Sequence, residues 1–379
     1  MSVTHSGVAA GDKTVLCQHL TDIENAYYYD SGKSMTAVHP ADGTVSPRRG
    51  KDMGSVCIVA GNGNRPLAEA VALLMGIPTH NTTVTQRANG EVNVRICESV
   101  LGADVYIIQS TSGNGLIDVN TALMELLLLI RKMRLSNAKR VTAIITYFAY
   151  SRQDRKHSVR GPISAAAVAQ MLTTAGVDRV TTVDLHSGQI QGFFGNVPLD
   201  NLLLYREFAQ YFSGKPWFNR DNMSIVALSA GSVKRARLLA DTLHIERIAT
   251  IMRRSNAAGL ITLQTVGEVE GLICIVVSGV CDTGEELIRA SELLKSQGAA
   301  KVVGCCTHGI MTPPCTQRLN GCEELEELVV SDSIPQEEHM KLVPKLKVLT
   351  IAPLIASVVL KYMQDASLCP LFDAPTDTV

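Results

Sequence analysis

Aromatic residues make up only 4% of the chain, with a single tryptophan, and the charges balance to a formal net of −1. A near-neutral chain lacks the bulk field that draws a protein to nucleic acid or to an anionic membrane, so neither is expected as a partner. No apolar run approaches the ~18–20 residues of a spanning helix. The N-terminus has no basic stretch followed by an apolar one, so no secretory leader is expected. The ten cysteines include no C-x-x-C pair. Several of them (Cys57, Cys274, Cys305, Cys306) sit in apolar, strand-like runs and read as reduced, buried thiols of a cytosol-like compartment rather than as disulfides or metal ligands. Gly61-x-Gly63 lacks the third glycine of a dinucleotide fingerprint. Neither Asp12-Lys13 ahead of His19-Leu20 nor Asp377-Thr378-Val379 forms a peroxisomal address. A cytoplasmic location is expected, with organellar import left open.

What is present is a chain of 379 residues, 46% hydrophobic and 19% charged, which suits a globular protein of two domains. Residues 1–54 are rich in Gly, Ser, Thr and Asp, carry a basic Pro47-Arg48-Arg49-Gly50-Lys51 patch, and read as a flexible extension. Ala26-Tyr27-Tyr28-Tyr29 is either a local collapse or a docking piece. From Ser55 strands and helices alternate. Strands are expected at 56–60, 104–109, 141–146 and 180–185. Helices are expected from Pro66 to Leu74, around 123–134 with a basic end, and over 163–175 closed by Gly176. The rhythm restarts with a strand at 224–229, a helix through Leu243, a strand at 272–277, a helix at 284–297 and a strand at 301–307. The last strand and helix are expected at 348–363, packing back on the first domain. Two βα-rich halves imply an α/β fold of two mostly parallel sheets flanked by helices. The domains are expected at 55–204 and 205–351, with a helix over 352–366 and a tail over 367–379. Ligands of such sheets bind beyond the carboxyl ends of the strands, here 147–155, 184–188, 229–232 and 278–286.

Three of those ends carry chemistry. Ile273 to Leu287 reads as a buried strand, a tight turn and a helix start, a geometry that ordinarily holds a phosphate on free N–H groups. Yet the turn carries Glu285 and Glu286. The stretch from Tyr147 to Ser158 sets Arg152, Arg155 and Lys156 beside Gln153 and Asp154. It is either a polyphosphate cradle or a solvated basic loop. Val183-Asp184-Leu185-His186 ends a strand with a carboxylate and an imidazole two residues apart, and alternation puts both on the same side. That suits metal or phosphate work, or else a satisfied core histidine.

Together these segments resemble the ribose-phosphate pyrophosphokinase, or phosphoribosyl pyrophosphate (PRPP) synthetase, family. The matches are Glu98-Ser99-Val100-x-Gly102-x-Asp104-Val105-Tyr106-Ile107-x-Gln109-Ser110, Ser151-Arg152-Gln153-Asp154, Gly161-Pro162-Ile163-Ser164-Ala165 and Asp184-Leu185-His186-x-x-Gln189-Ile190-Gln191-Gly192-Phe193-Phe194. Thr307-His308-Gly309 and Ser333-Ile334-Pro335-Gln336-Glu337 extend them. The resemblance implies two type-I phosphoribosyltransferase-like domains, dimers and hexamers, and Mg2+-dependent transfer of a diphosphate from ATP to the 1-hydroxyl of ribose 5-phosphate. It makes Arg152, Gln153, Asp154 and Lys156 the nucleotide loop and His186 the Mg–ATP histidine. Asn89 and Glu91 become an adenine-reading pair lent to a neighbouring subunit, with Arg87 where the family has a phenylalanine. Ser367-x-x-x-Leu371-Phe372 resembles the family's ending at a regulatory subunit interface, or else anchors a helix end.

The ribose-phosphate side departs from the pattern. The family's loop V-D-D-x-x-D-T-x-G-T is Val277-Ser278-Gly279-Val280-Cys281-Asp282-Thr283-Gly284-Glu285-Glu286 here. Ser278 and Gly279 replace two carboxylates that hold the ribose hydroxyls, and Glu285-Glu286 replaces the phosphate-wrapping G-T. Two carboxylates near a dianion repel it by several kcal/mol at ~4 Å, even in an effective dielectric near 20. Thr283-x-x-Glu286 also reads as a capping box that closes the helix start on itself. Ser229 replaces an aspartate of the family's P-D-A-G-G turn. In the K-E-R segment Met252 replaces the lysine, while Arg254 keeps the arginine. The expectation is a non-catalytic or regulatory subunit that associates with an active paralogue and retains ATP (or ADP) and Mg2+ binding in part. An active enzyme with a divergent loop is the alternative, and a nucleotide-sensing protein a second one.

Overall fold

The computed structural model describes residues 56–113, 115–156, 158–255 and 261–372. The extension with its tyrosine run, and most of the tail, lie outside these residues. Short buried apolar runs make the strands: β1 (Val56–Ala60), β4 (Asp104–Ser110), β5 (Arg140–Tyr147), β6 (Arg179–Val183) and β7 (Leu199–Leu202). They pair in that order as a parallel sheet. β2 (Thr82–Gln86) and β3 (Val92–Ile96) form a separate antiparallel hairpin. The second sheet runs β10 (Ile261–Val266), β9 (Ile248–Ser255), β8 (Met223–Ala227), β11 (Ile273–Cys281), β12 (Lys301–Gly309), β13 (Glu327–Ser331) and β14 (Leu346–Leu349). It is parallel apart from the antiparallel β10–β9 edge.

The helices are α1 (Arg65–Leu74), α2 (Val119–Leu135), α3 (Ser164–Ala175), α4 (Tyr205–Ser213), α5 (Val233–Leu243), α6 (Glu285–Ser296), α7 (Cys315–Gly321), α8 (Glu337–Leu342), α9 (Ala352–Met363) and α10 (Cys369–Phe372). Local chemistry sets several ends. Asn64 and Asp118 accept backbone N–H groups at the starts of α1 and α2. Gly176, at φ 102°, ends α3 as expected.

Because side chains alternate across a strand, each sheet feeds two cores. Val59, Val105, Ile107 and Ile145 pack with α2 and α3 on one face. Ile58, Tyr106, Ile108 and Ile144 face the other way, into a cluster that also holds Ile225, Ile275, Val277 and the buried side of α9. α9 thus packs on α1, while its Tyr362 bonds Thr181 at 2.8 Å and Asp200 at 2.7 Å in the first half. The Gly61 and Gly63 turn is structural: a Cβ on Gly61 would lie 2.2 Å from Gln109 Oε1, and one on Gly63 2.0 Å from the Ser110 carbonyl. The cysteines among the described residues are free; Cys274, Cys305 and Cys306 are buried as expected, whereas Cys57 is only half-buried. Among the described residues no helix is long and apolar enough to cross a membrane.

Three expectations fail locally. β11 does not stop at Val277. It runs to Cys281, because Val280 and Cys281 pair with His308 and Gly309 of β12, so the turn proper is only Asp282 to Gly284. The capping box does not form: Gly284 is the N-cap at φ 74°, without a side-chain cap bond, and Glu286 lies already inside α6. Finally, β6 ends at Val183 and Asp184 turns at φ 41°. Strand alternation therefore cannot bring Asp184 and His186 to one side: Asp184 is buried and His186 exposed.

Candidate functional site

Asp184, just beyond β6, meets α5 and the carboxyl end of β12. Its carboxylate accepts from Arg235 Nε at 2.8 and 2.9 Å and from Thr307 Oγ1 at 2.6 Å. Its carbonyl faces His308 Nε2 at 3.3 Å, and His308 Nδ1 faces the Ser333 hydroxyl at 2.8 Å. A carbonyl only accepts, so the proton belongs on Nε2, while the Ser333 hydroxyl lies within reach of both Nδ1 and the Thr307 carbonyl, the latter at 3.3 Å. Burial holds this histidine below its ordinary pKa, more than the Asp184 charge raises it. Arg235 further donates to the Leu185 carbonyl at 2.9 Å and the Gly231 carbonyl at 3.3 Å.

This arginine bears directly on the ribose-phosphate loop. A Cβ built on Gly279 would stand 3.1 Å from Arg235 Cζ and 3.2 Å from its Nε and Nη2. A side chain at this position, where the family pattern has its second aspartate, would thus lie against the guanidinium. A small cavity of ≈ 20 Å³, lined in part by Asp184, Tyr205, Phe208, Arg235, Ser278 and Thr307, has room for about one water. Ser278 turns its hydroxyl to the Val280 carbonyl at 3.1 Å.

At the helix start, Glu285 pairs with Arg289 at 2.8 Å, and Glu286 meets Arg253 at 3.7 Å. The two carboxylates are exposed and partly neutralised by their own neighbours, which softens the repulsion expected from composition alone. The Thr283 carbonyl accepts from Arg318 at 3.3 Å. Met252 is 45% exposed on β9, and Arg253 and Arg254 follow it, also exposed. Ser229 is exposed, its hydroxyl 3.4 Å from that of Ser232.

The loop after β5 lies beside this turn. Arg152 Nη2 donates to Asp282 Oδ2 at 2.6 Å. Gln153 is exposed, its Oε1 accepting from Ser164 Oγ at 2.6 Å. Asp154 is half-buried, while Lys156 and His186 are exposed. Lost hydration lowers the His186 pKa; Asp154 opposes this, and Arg235, Arg152 and Arg155 reinforce it. His186 and Asp154 are thus electrostatic neighbours. Among the described residues no group of three or more His, Cys, Asp or Glu could hold a metal ion. Mg2+ needs less, since it keeps several waters and takes one or two carboxylates plus substrate phosphates, and Asp154 beside His186 suits that demand.

Arg87, Asn89 and Glu91 are exposed at the tip of the β2–β3 hairpin, where their bonds are local: Arg87 N to Glu91 O at 2.8 Å and Glu91 N to Asn89 Oδ1 at 3.2 Å. Sequence reasoning missed Arg235, Thr312 and Arg318. No motif marks them, because each acts on residues far away in the chain.

Comparison with known proteins identifies the family. Residues 56–176 match the family model for the N-terminal domain of ribose phosphate pyrophosphokinase, and residues 258–373 that for the phosphoribosyl synthetase-associated domain. A ribose-phosphate pyrophosphokinase of Granulibacter bethesdensis is 41% identical over 83% of this chain and 99% of its own length. One from Clostridium perfringens is 39% identical over 84% and 98%. The crystal structure of phosphoribosylpyrophosphate synthetase from Mycobacterium smegmatis superposes with a TM-score of 0.75, at 36% identity, over 82% of this chain and 100% of that one. With both halves matched by family models and full-length relatives spanned almost end to end, this chain belongs to the ribose-phosphate pyrophosphokinase, or PRPP synthetase, family and has its two type-I phosphoribosyltransferase-like domains.

Proposed function

We propose that this chain serves PRPP formation as a non-catalytic or regulatory subunit that associates with an active paralogue. The observation that carries this reading is Gly279, which sets no carboxylate against Arg235 where the family pattern has one for ribose. Ser278, Ser229 and Met252 remove further carboxylates and a cation. Transfer of a diphosphate depends on positioning and charge neutralisation, so these losses act together on one step. The nucleotide side is kept: Arg152, Gln153, Asp154 and Lys156 would hold a polyphosphate, and His186 with Asp154 would hold its Mg2+. Asn89, Glu91 and Arg87, exposed on the hairpin tip, would complete the adenine pocket of a neighbouring subunit. We take 55–204 and 205–351 as the two domains and the cytoplasm as the location.

A second reading is an active ribose-phosphate diphosphokinase with a divergent ribose-phosphate loop. The comparisons favour it over the first: relatives spanned over 98–99% of their length carry that enzyme's name. The neutralised Glu285 and Glu286 also weigh for it.

A coupled assay with Mg-ATP, ribose 5-phosphate and phosphate separates the two. The first reading expects no turnover by the purified chain, and a higher ATP KM of a paralogue complex when Asn89 and Glu91 are both changed to alanine. Turnover by the chain alone at the ~1–100 s−1 of ordinary kinases sinks it in favour of the second.

A further inference from the structure

The ion pair between Arg152 and Asp282 joins loops 130 positions apart. Asp282 is committed at both oxygens: Oδ2 accepts from Arg152 Nη2 at 2.6 Å, and Oδ1 from Thr312 Oγ1 at 2.6 Å. The carboxylate is 25% exposed and the guanidinium 48%. Thr312, just beyond β12, therefore aims the carboxylate, and its target is the first cation of the nucleotide loop. Tyr147 is a further neighbour of the same guanidinium. An arginine in a phosphate-reading loop takes its anion from the ligand through charge-assisted bonds. Here a side chain of the protein already occupies that seat.

We propose that Asp282 is the resident anion of the 152–156 loop, holding Arg152 until a polyphosphate displaces it and so setting the affinity of the loop for phosphate-bearing ligands. This rests on the nucleotide-loop reading above. An entering diphosphate must break the 2.6 Å bond and then sit beside a carboxylate of its own sign. Both costs disappear in Asp282→Asn, which keeps a carbonyl oxygen for Thr312. The role is one of positioning and competition, separate from any contact of Asp282 with a reacting group.

The test is calorimetric titration of the full chain with inorganic pyrophosphate, with thermal unfolding recorded for each variant. Asp282→Asn is expected to bind about three- to tenfold tighter than the unmodified chain, and the gain to vanish in an Arg152→Gln background. A merely structural role would not make the gain depend on Arg152. Equal or weaker binding by Asp282→Asn, binding by neither protein, or a gain that survives Arg152→Gln overturns the proposal. Failure of the underlying reading has its own mark: Arg152→Gln alone then leaves pyrophosphate affinity unchanged, and the proposal falls with it.

Discussion

Glu207 shows how one buried atom makes stability depend on pH. It lies on α4, and although the residue is only half-buried, its Oε2 is sealed from solvent without a hydrogen-bond partner. Burial pushes the carboxyl up to about 7; a backbone bond and Arg206 only moderate this. A carboxyl whose folded pKa is raised binds its proton more tightly folded than unfolded, so stability is lost as pH rises toward and through 7. Glu207→Gln removes the ionisable group while keeping the shape. We expect the variant to be more stable by about 1–3 kcal/mol at pH 8 and nearly unchanged at pH 4, as read from urea midpoints. An equal effect at both pH values would mean that the carboxyl is not the cause. Nothing in the local sequence signals this residue, since Tyr205-Arg206-Glu207 reads as an ordinary amphipathic helix start.

At the scale of elements the sequence was informative where burial is continuous. Strands such as Asp104–Ser110 and Met223–Ala227 were legible because a parallel strand covered on both faces carries a near-continuous apolar run. Legibility failed where a partner strand decides the outcome. Ser278-Gly279 has turn composition, yet β12 extends far enough to keep β11 paired beyond it. The Thr283-x-x-Glu286 signature failed because Gly284 adopts the left-handed conformation and becomes the cap itself. α9 was placed correctly, and its packing yields a prediction. Ile355 is fully buried in the cluster shared by both sheets. Ile355→Ala should cost about 2–5 kcal/mol, whereas Leu73→Ala, at a position 64% exposed, should stay within ~0.5 kcal/mol. Comparable losses in chemical denaturation would contradict the packing described for α9.

The whole molecule is tied across its halves by polar groups that no single segment displays. Asp184 from the first half meets Arg235, Thr307 and His308 from the second. Thr146 donates to the Ser333 carbonyl at 2.7 Å, and Asn64 to that of Asp332 at 2.7 Å. The motif around Asp184 was visible in the sequence, but its partner was not. Only the fold shows that Arg235 both satisfies this carboxylate and lies beside Gly279. With side-chain exposures of 3% for Asp184 and 20% for Arg235, removing one partner strands the other in a poorly hydrated place. Asp184→Ala should therefore destabilise the chain by roughly 3–5 kcal/mol, while the double variant Asp184→Ala with Arg235→Met should lose less than the two single losses combined, because neither charge is left behind. A double-mutant cycle from urea denaturation measures the coupling. Strict additivity would mean that the pair carries no mutual dependence, and would remove the physical basis for reading Arg235 as held by Asp184 beside the ribose-phosphate loop.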